Sequence, residues 1–250
     1  MTTFRMIPFQ YFDAFTNMAL DEAIMEAVRS GESLPTIRFY GWEPSAISIG
    51  TFQGIRNEVN LEETHLAGVD VIRRQTGGGA VYHDRLGEVT YSIIGSLELF
   101  PLNILKSYEV ICADIVFALQ HMRLDARFVP VNDILVGEQK ISGNAQTRRN
   151  GILLQHGTIL YSVDVEKMFS LLNVSQEKIS DKLIKSVKKR VTSISDLTSA
   201  SMDDLKAALE AGFSRGRNID DYGDYTPKEL ERARQLAEEK YKTEAWNFKL

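Results

Sequence analysis

The apolar positions of the chain recur with two periods, and each period predicts a different kind of element. Apolar residues return every three or four positions from Asn17 to Arg29, which predicts a core-facing helix capped by Thr16 or Asn17 and ended by Gly31. The run from Leu105 to Met122 has the same period and predicts a long amphipathic helix. Runs rich in β-branched and aromatic residues predict strands over Thr36–Trp42, Ala46–Phe52, Val69–Ile72 and Val89–Ile93.

The way in which these elements follow one another predicts the fold class. The first two strands are separated only by Glu43–Ser45, so they most simply pair with each other, and Asn60–Ala67 predicts a short helix. Residues 126–163 are rich in strand and turn residues. From about residue 164 the chain becomes mainly helical, with helices predicted near Val165–Leu172, Ser201–Phe213 and Pro227–Tyr241. We therefore predict a single α+β domain over residues 1–250, with mixed or antiparallel β-sheets flanked by helices.

Composition narrows the class of protein. Of the 250 residues 44% are hydrophobic and 25% are charged, as in ordinary globular proteins. The net charge of −5 argues against a chain-wide surface for nucleic acid or anionic membranes, and neither is expected as a partner. The single cysteine, Cys112, excludes an intramolecular disulfide framework and favours a reducing compartment. With no secretory segment and no apolar run of about 18 residues, a cytoplasmic location is predicted.

Three consecutive glycines, Gly77–Gly79, join the third and fourth predicted strands. A dinucleotide-binding GxGxxG motif or a P-loop would begin a helix, whereas this segment joins two predicted strands and matches neither motif. Consecutive glycines expose backbone N–H groups and let a ligand come close, which suits a phosphate or a carboxylate. Arg74 stands just before them and could place two donors on such an anion. The alternative is a flexible hairpin connection, and the glycines alone do not decide between the two.

A second cluster of informative residues runs from Asp133 to Gln146. Lys140 is predicted to begin a strand, where a cation can point into a site from a rigid element, while Gly143 and Ala145 leave room for a ligand. Asp133 could hold Mg²⁺ or orient a ligand amine. Each residue also has an ordinary interpretation as a solvated lysine, a turn glycine or a capping aspartate.

In combination, these motifs resemble those of the lipoate–protein ligase A family. The resemblance implies a catalytic domain of the biotin/lipoate ligase type, and it covers nearly the whole chain in order. Its motifs are Arg73–Asp84, Asn132–Ile134, Lys140–Gln146, Gln155–Ile159, Lys185–Val187, Arg190–Thr192 and Lys240–Asn247.

The resemblance implies an ATP-dependent lipoate–protein ligase. Lipoate would be activated with ATP and Mg²⁺ to lipoyl-AMP and passed to a lysine of an acceptor domain, in a 2-oxoacid dehydrogenase acyltransferase subunit or the glycine-cleavage H protein. No tightly bound prosthetic group is implied. Lys140 would be the catalytic residue and Asp133 a Mg²⁺ ligand. The implied ATP and lipoyl-adenylate contacts are Arg74, Gly77, Gly78, Gly79, Ala80, Val81, Tyr82, His83, Asp133, Gly143 and Ala145.

The alternative activity is that of an octanoyl or lipoyl transferase that works from an acyl carrier or an acylated protein. Such transferases resemble the ligases but use a cysteine that forms a thioester with the acyl group. That cysteine lies shortly before the lysine strand, here Leu124–Pro130, or near Ser142–Gln146, and neither segment contains one. Cys112 falls in a predicted helix and is interpreted as a buried structural thiol. The ligase is therefore expected. A biotin ligase lacks support because its Gly-Arg-Gly-Arg-Arg-Gly loop is absent, and a non-catalytic lipoyl-binding protein is a further alternative.

Four further features of the sequence bear on partners and on the site. The chain stops at Leu250, like short ligases whose accessory carboxy-terminal domain is a separate polypeptide, so such a partner is expected. The basic residues Lys182, Lys185 and Lys188–Arg190 form either a solvated face or a surface that steers an acidic acceptor. His83 and His156 are either site residues or core histidines. The segments Phe39–Trp42 and Ile49–Gly50 either line an acyl pocket or belong to the core.

Overall fold

The structure is a computed structural model that describes residues 2–173 and 188–250. The strands in these ranges are β1 Thr3–Phe12, β2 Thr36–Trp42, β3 Ala46–Ile49, β4 Asp70–Arg73, β5 Val81–His83, β6 Glu88–Ser96, β7 Ala126–Val129, β8 Asp133–Val136, β9 Gln139–Arg149, β10 Ile152–Leu160 and β11 Asn218–Tyr222. The helices are α1 Ala14–Ser30, α2 Ile55–Glu58, α3 Leu61–Leu66, α4 Ile104–His121, α5 Val165–Leu171, α6 Ile194–Leu197, α7 Met202–Ser214, α8 Pro227–Leu236 and α9 Glu244–Asn247.

The strands form two sheets, and the predicted α+β class with a mixed sheet is confirmed. The large sheet has the order β11-β1-β2-β6-β10-β9-β8-β7, and the small sheet has the order β4-β3-β5. In the large sheet β1 runs parallel to both of its neighbours, while the remaining pairs are antiparallel. The chain therefore leaves the large sheet after β2, builds the small sheet, and returns at β6.

The expected pairing of the second and third strands with each other is wrong. β2 pairs with β1 and β6, whereas β3 pairs with β4 and β5. The connection Glu43–Ser45 carries the chain from one sheet to the other instead of closing a hairpin. Strand spacing alone does not distinguish these two courses, because both need only a short turn.

The large sheet has an apolar core on each face, as the alternation of side chains along a strand requires. Ile37 and Phe39 of β2 pack in the core that contains α4 and α7, whereas Tyr40 and Trp42 pack in the core that contains α1 and α8. At Gly212 of α7 an added Cβ would lie 2.4 Å from a backbone oxygen of α4, so glycine permits the close crossing of these helices. Among the described residues, no helix is both long and apolar enough to span a membrane.

The N-cap of helix α1 lies three residues before Thr16 and four before Asn17, the two expected caps. Asp13 is the N-cap, and its carboxylate accepts a hydrogen bond from the Thr16 backbone N–H at 2.7 Å. Asn17, one of the predicted caps, is instead buried and donates to the Gly41 carbonyl at 2.9 Å. The predicted stop is confirmed, because Gly31 adopts a φ of 74° and closes the helix.

The carboxy-terminal helix α9 is attached to the small sheet through the buried guanidinium of Arg73. Its donors reach the backbone carbonyls of Trp246 at 3.0 Å and Asn247 at 2.7 Å. It also donates to the carbonyl of Gln53 at 2.5 Å. Burial lowers the pKa of Arg73. One side chain thus joins the end of the chain to the loop after β3.

Strand β1, which was not predicted, depends on a partner more than two hundred residues away. Arg5 on β1 is buried and donates to both carboxylate oxygens of Glu229 on α8, at 2.6 and 2.9 Å. Burial by itself raises the pKa of Glu229, but its hydrogen bonds from Arg5 and from the Thr226 backbone outweigh burial, and the net shift is downward. The pair therefore stabilises the folded state above the ordinary glutamate pKa.

Replacing Glu229 with glutamine should destabilise the protein by about 3 kcal/mol, because the buried charge of Arg5 then loses its counter-ion. Since the folded-state pKa of Glu229 is depressed, this contribution is present above pH 4.5 and is lost as the pH falls through the folded-state pKa. Urea unfolding at several pH values measures it. The matched control is Glu231→Gln, which breaks an exposed pair with Arg234 and should cost less than about 1 kcal/mol. Equal losses in both variants would contradict the prediction.

Candidate functional site

One cavity of about 330 Å³ brings the two predicted clusters together. Residues of the glycine segment and residues of β9 and β10 line it together. Of the residues predicted for the site, Gly77 and Asp133 are not among the lining residues. Those that do line the cavity are Arg74, Gly78, Gly79, Ala80, Val81, Tyr82, His83, Lys140, Gly143 and Ala145. Their individual roles toward a ligand stay predictions.

Arg74 lies beneath the glycine segment and holds its shape. The guanidinium donates to the carbonyls of Gly77 and Gly79, both at 2.8 Å, and to the carbonyl of Ser48 at 2.9 Å. Burial lowers the pKa of Arg74 to about 10, so the side chain still carries its charge at neutral pH. Arg74 was expected to place free donors on an anion. In this structure several of these donors hold the loop, which makes Arg74 a positioning residue.

Gly50, at the end of the small sheet, allows the glycine segment to pack closely on β3. A Cβ at Gly50 would lie 2.1 Å from the carbonyl oxygen of Gly78. Gly78 itself has a φ of 99°, a backbone conformation that favours glycine. A Cβ at Gly77, in contrast, would have open space. The position of the loop therefore depends on glycine at two particular residues.

Lys140 lies at the start of β9 and also lines the cavity. Its ammonium pairs with Asp133 at 2.7 Å, and its backbone pairs with the segment around Val191. Gly143 lies on the same strand, three residues after Lys140. A Cβ added at Gly143 would lie 2.9 Å from the ammonium nitrogen of Lys140. Asp133 is thus engaged with Lys140. In residues 2–173 and 188–250 no group of three or more His, Cys, Asp or Glu side chains could hold a metal, and Mg²⁺ at Asp133 stays a prediction.

His156 links the large sheet to the glycine segment. Its Nε2 lies 2.6 Å from the Thr76 hydroxyl, and its Nδ1 lies 3.3 Å from the Asp21 carboxylate. Burial lowers the pKa of His156. Burial alone raises the pKa of Asp21, but Arg38 at 3.0 Å and His156 outweigh it and lower the pKa. His156 is therefore a buried histidine whose partners are side chains, and it also lines the cavity.

His83 belongs to a second hydrogen-bonded chain, which the motifs did not indicate in full. Its Nε2 lies 2.8 Å from the Ser48 hydroxyl and its Nδ1 lies 2.7 Å from the Glu88 carboxylate. All three residues line the cavity and are at most 4% exposed. Ser48 and Glu88 were missed, and the only available signal was the alternation of polar residues within the strands β3 and β6.

The apolar part of the cavity is formed by side chains from several elements. Tyr40 and Trp42 of β2 contribute to it, whereas Phe39 points into the opposite core. Ile49 and Gly50 are not among the lining residues. Of the two alternatives for the segment Phe39–Trp42, each therefore holds for alternate residues: Tyr40 and Trp42 line the cavity, and Phe39 belongs to the core. The other apolar lining residues include Met18, Leu160 and Met168.

Cys112 lies on α4, away from this cavity. It is fully buried and is not among the lining residues, and Gln155 Nε2 lies 3.7 Å from its sulfur. Burial raises the pKa of the thiol to about 12. The prediction of a buried structural thiol is confirmed.

The basic run is only partly described. Lys182 and Lys185 lie outside the described residues, as does the motif Lys185–Val187. Residues 188–190 are exposed, and Lys188 pairs with Glu166 at 3.0 Å. Steering of an acceptor by this run stays a prediction.

Replacing Gly50 with alanine should lower the free energy of unfolding by about 1–3 kcal/mol, because the new methyl group meets a backbone oxygen that cannot move without the loop. Thermal unfolding monitored by circular dichroism measures the loss. The control is Gly77→Ala in the same loop, whose methyl group enters open space and should leave the midpoint unchanged. A Gly50→Ala protein as stable as the parent would show that the loop is not fixed by this contact.

The sequence and the structure of the chain are both similar to those of known proteins. The family model described as "Lipoyl protein ligase A/B catalytic domain" matches residues 13–214. Octanoyltransferase LipM of Geobacillus kaustophilus is 37% identical over 98% of both chains, and Octanoyltransferase LipM of Bacillus subtilis is 34% identical over 93% of both. The solved structure of a bi-partite lipoate protein ligase of Thermoplasma acidophilum superposes with a TM-score of 0.89, at 34% identity over 99% of this chain and 97% of that chain.

These findings correct the expected activity. The prediction of an ATP-dependent lipoate–protein ligase is wrong, because the curated full-length relatives are octanoyltransferases. That prediction used the lack of a cysteine near Lys140 to reject a transferase. The lack of a thiol excludes only a thioester intermediate at that position, since a hydroxyl group can also carry an acyl group and an amine can also attack a donor directly.

Proposed function

The chain belongs to the family of lipoyl protein ligase A/B catalytic domains, and within this family we propose that it transfers an octanoyl group from the thioester of an acyl carrier to a lysine of a lipoyl acceptor domain. The similarity to curated octanoyltransferases over almost the whole length of the chain carries the proposal. The product is an amide on the acceptor lysine, and the released group is the carrier thiol.

The shape and lining of the cavity support an acyl substrate. A volume of about 330 Å³ with mainly apolar walls and a few polar groups is typical of a small-molecule site. Trp42, Tyr40 and Met168 offer apolar surface to the hydrocarbon tail. The carbonyl end would then lie near the polar residues at the glycine segment and at Lys140.

Lys140 supplies the charge that acyl transfer needs. Attack on a thioester carbonyl places negative charge on its oxygen, and a fixed cation stabilises that charge without reorganisation. The ammonium of Lys140 pairs with Asp133, and glycine at position 143 leaves the space that the lysine side chain occupies. Asp133 therefore positions Lys140.

The proposal extends to the protein that accepts the octanoyl group. We propose a lipoyl domain of a 2-oxoacid dehydrogenase acyltransferase subunit or the glycine-cleavage H protein as the acceptor. The solved relative from Thermoplasma acidophilum was studied with its E2 lipoyl domain, which supports an acceptor of this class. The cytoplasmic location and the separate accessory polypeptide stay predictions. A thioester donor is already activated, so the proposed transfer requires neither ATP nor Mg²⁺.

The purified chain, incubated with an octanoylated acyl carrier and an acceptor domain but no ATP, should add one octanoyl group to the acceptor, as measured by intact mass. Cys112→Ser should retain the activity, because that thiol is buried and outside the cavity. Acceptor modification only from free octanoate plus ATP and Mg²⁺ would contradict the proposed function.

Lys140→Met should lower kcat for this transfer by about 100–1000-fold, the usual loss when one group that stabilises a transition-state charge is removed. The matched control is Lys188→Met, which removes an exposed lysine that also pairs with a carboxylate. Its kcat should equal that of the parent. Comparable kcat values for Lys140→Met and the parent would remove Lys140 from the mechanism.

A further inference from the structure

Ser48, His83 and Glu88 form a serine–histidine–carboxylate chain inside the cavity. We propose that Ser48 is the nucleophile that carries the octanoyl group as an ester between donor and acceptor. This inference rests on the proposed octanoyl transfer. It assigns a covalent intermediate to a chain whose described residues place no cysteine on the cavity wall.

The register of the small sheet brings the serine and the histidine together. Ser48 of β3 stands opposite Val81 of β5, and Ala46 stands opposite His83. Ser48 and His83 are thus diagonal neighbours on one face of the sheet, where their side chains can meet. The imidazole also stacks on Trp42, with centroids 4.0 Å apart and an interplanar angle of 17°, which fixes the orientation of the ring.

The hydrogen-bond partners fix where the protons lie. The indole N–H of Trp42 can only donate, and it donates to the Thr90 hydroxyl at 2.9 Å. The Thr90 hydroxyl therefore donates its own proton to Glu88, at 2.8 Å. The Glu88 carboxylate, which only accepts, requires a proton on His83 Nδ1 at 2.7 Å. In the neutral imidazole this leaves Nε2 as the acceptor for Ser48.

The serine proton is free to meet that acceptor. Arg74 Nη1 lies 3.1 Å from the Ser48 oxygen and can only donate to it. The hydroxyl hydrogen of Ser48 therefore points to His83 Nε2, at 2.8 Å. This is the arrangement in which a histidine acts as general base for a serine, and a buried carboxylate orients the histidine and stabilises its charged form.

The charges around the serine favour its activation. The guanidinium of Arg74 is buried and carries a positive charge next to the Ser48 oxygen, where negative charge develops as the proton leaves. Gly78, Gly79 and Ala80 line the same cavity, so the reacting carbonyl would lie beside a loop with small or no side chains, which lets a ligand approach the backbone. Lys140 lines the same cavity and adds a second positive charge to it.

The steps balance without a further reactant. The Ser48 oxygen attacks the thioester carbonyl while His83 takes its proton, the carbon–sulfur bond breaks, and the carrier thiolate receives the proton from His83. The acceptor lysine, as a neutral amine, then attacks the serine ester while His83 takes a proton from the nitrogen. The carbon–oxygen bond breaks, the proton returns to the Ser48 oxygen, and the amide leaves with its domain.

The test is to incubate the full chain with octanoylated acyl carrier in the absence of acceptor and to measure its intact mass. The expected result is a gain of one octanoyl group, located at Ser48 by peptide mapping and transferred to the acceptor when this is added. Ser48→Ala should form no adduct and should lower kcat by on the order of 1000-fold or more, as in other enzymes that lose a serine nucleophile. Ser107→Ala is the matched control, since it removes a buried serine hydroxyl on α4 and should leave both measurements unchanged.

Ser48→Cys separates loss of the nucleophile from loss of the fold. This variant should regain the adduct, now as a thioester that neutral hydroxylamine cleaves, whereas the serine ester of the parent should resist neutral hydroxylamine. An active parent that never carries an octanoyl group, an adduct at another residue, or full activity of Ser48→Ala would each overturn the proposal. A parent that transfers nothing to the acceptor would instead overturn the proposed function on which it rests.

Discussion

The site depends on a buried guanidinium, that of Arg74, which is bonded to the backbone of two segments at the same time. It joins the carbonyl of Ser48 on β3 to the carbonyls of Gly77 and Gly79 in the loop. A guanidinium is suited to this position because it offers five donors in one plane and keeps its charge when it is buried. Without it, the carbonyls of a loop rich in glycine would have no fixed partners, and the loop would have many conformations.

The preceding residue, Arg73, also donates hydrogen bonds to backbone carbonyls, but on the other side of the strand. Successive side chains of a strand point in opposite directions, so these two arginines serve two different parts of the molecule. Arg73 fixes the end of the chain at α9, and Arg74 fixes the floor of the cavity. Buried arginines also join elements at Arg5 and Arg38, where each arginine pairs with a carboxylate from another element. Buried arginines therefore mark the junctions at which separate elements of this fold meet.

Structural features that depend on neighbouring residues could be predicted from the sequence. Features that depend on a partner far along the chain could not. The periodicity from Asn17 to Arg29 and from Leu105 to Met122 corresponds to α1 and α4, because burial of one helix face is a local pattern. β1 was missed because it contains Arg5, whose burial is compensated by Glu229 far along the chain. Motif resemblance identified ten residues that line the cavity in the structure, but it did not identify Ser48 or Glu88. Ser48 meets His83 only through the pairing of β3 with β5, and no local pattern encodes that pairing.

The two sheets give the Ser48–His83–Glu88 chain a property that a catalytic group within one strand would lack. Ser48 and His83 belong to the small sheet, while Glu88 is the first residue of β6 in the large sheet. The histidine therefore has its carboxylate partner only while the two sheets keep their present separation. A displacement of about 1 Å between them would lengthen the bond from His83 to Glu88 beyond hydrogen-bonding range. The docking of one sheet on the other is thus itself part of the reactive geometry.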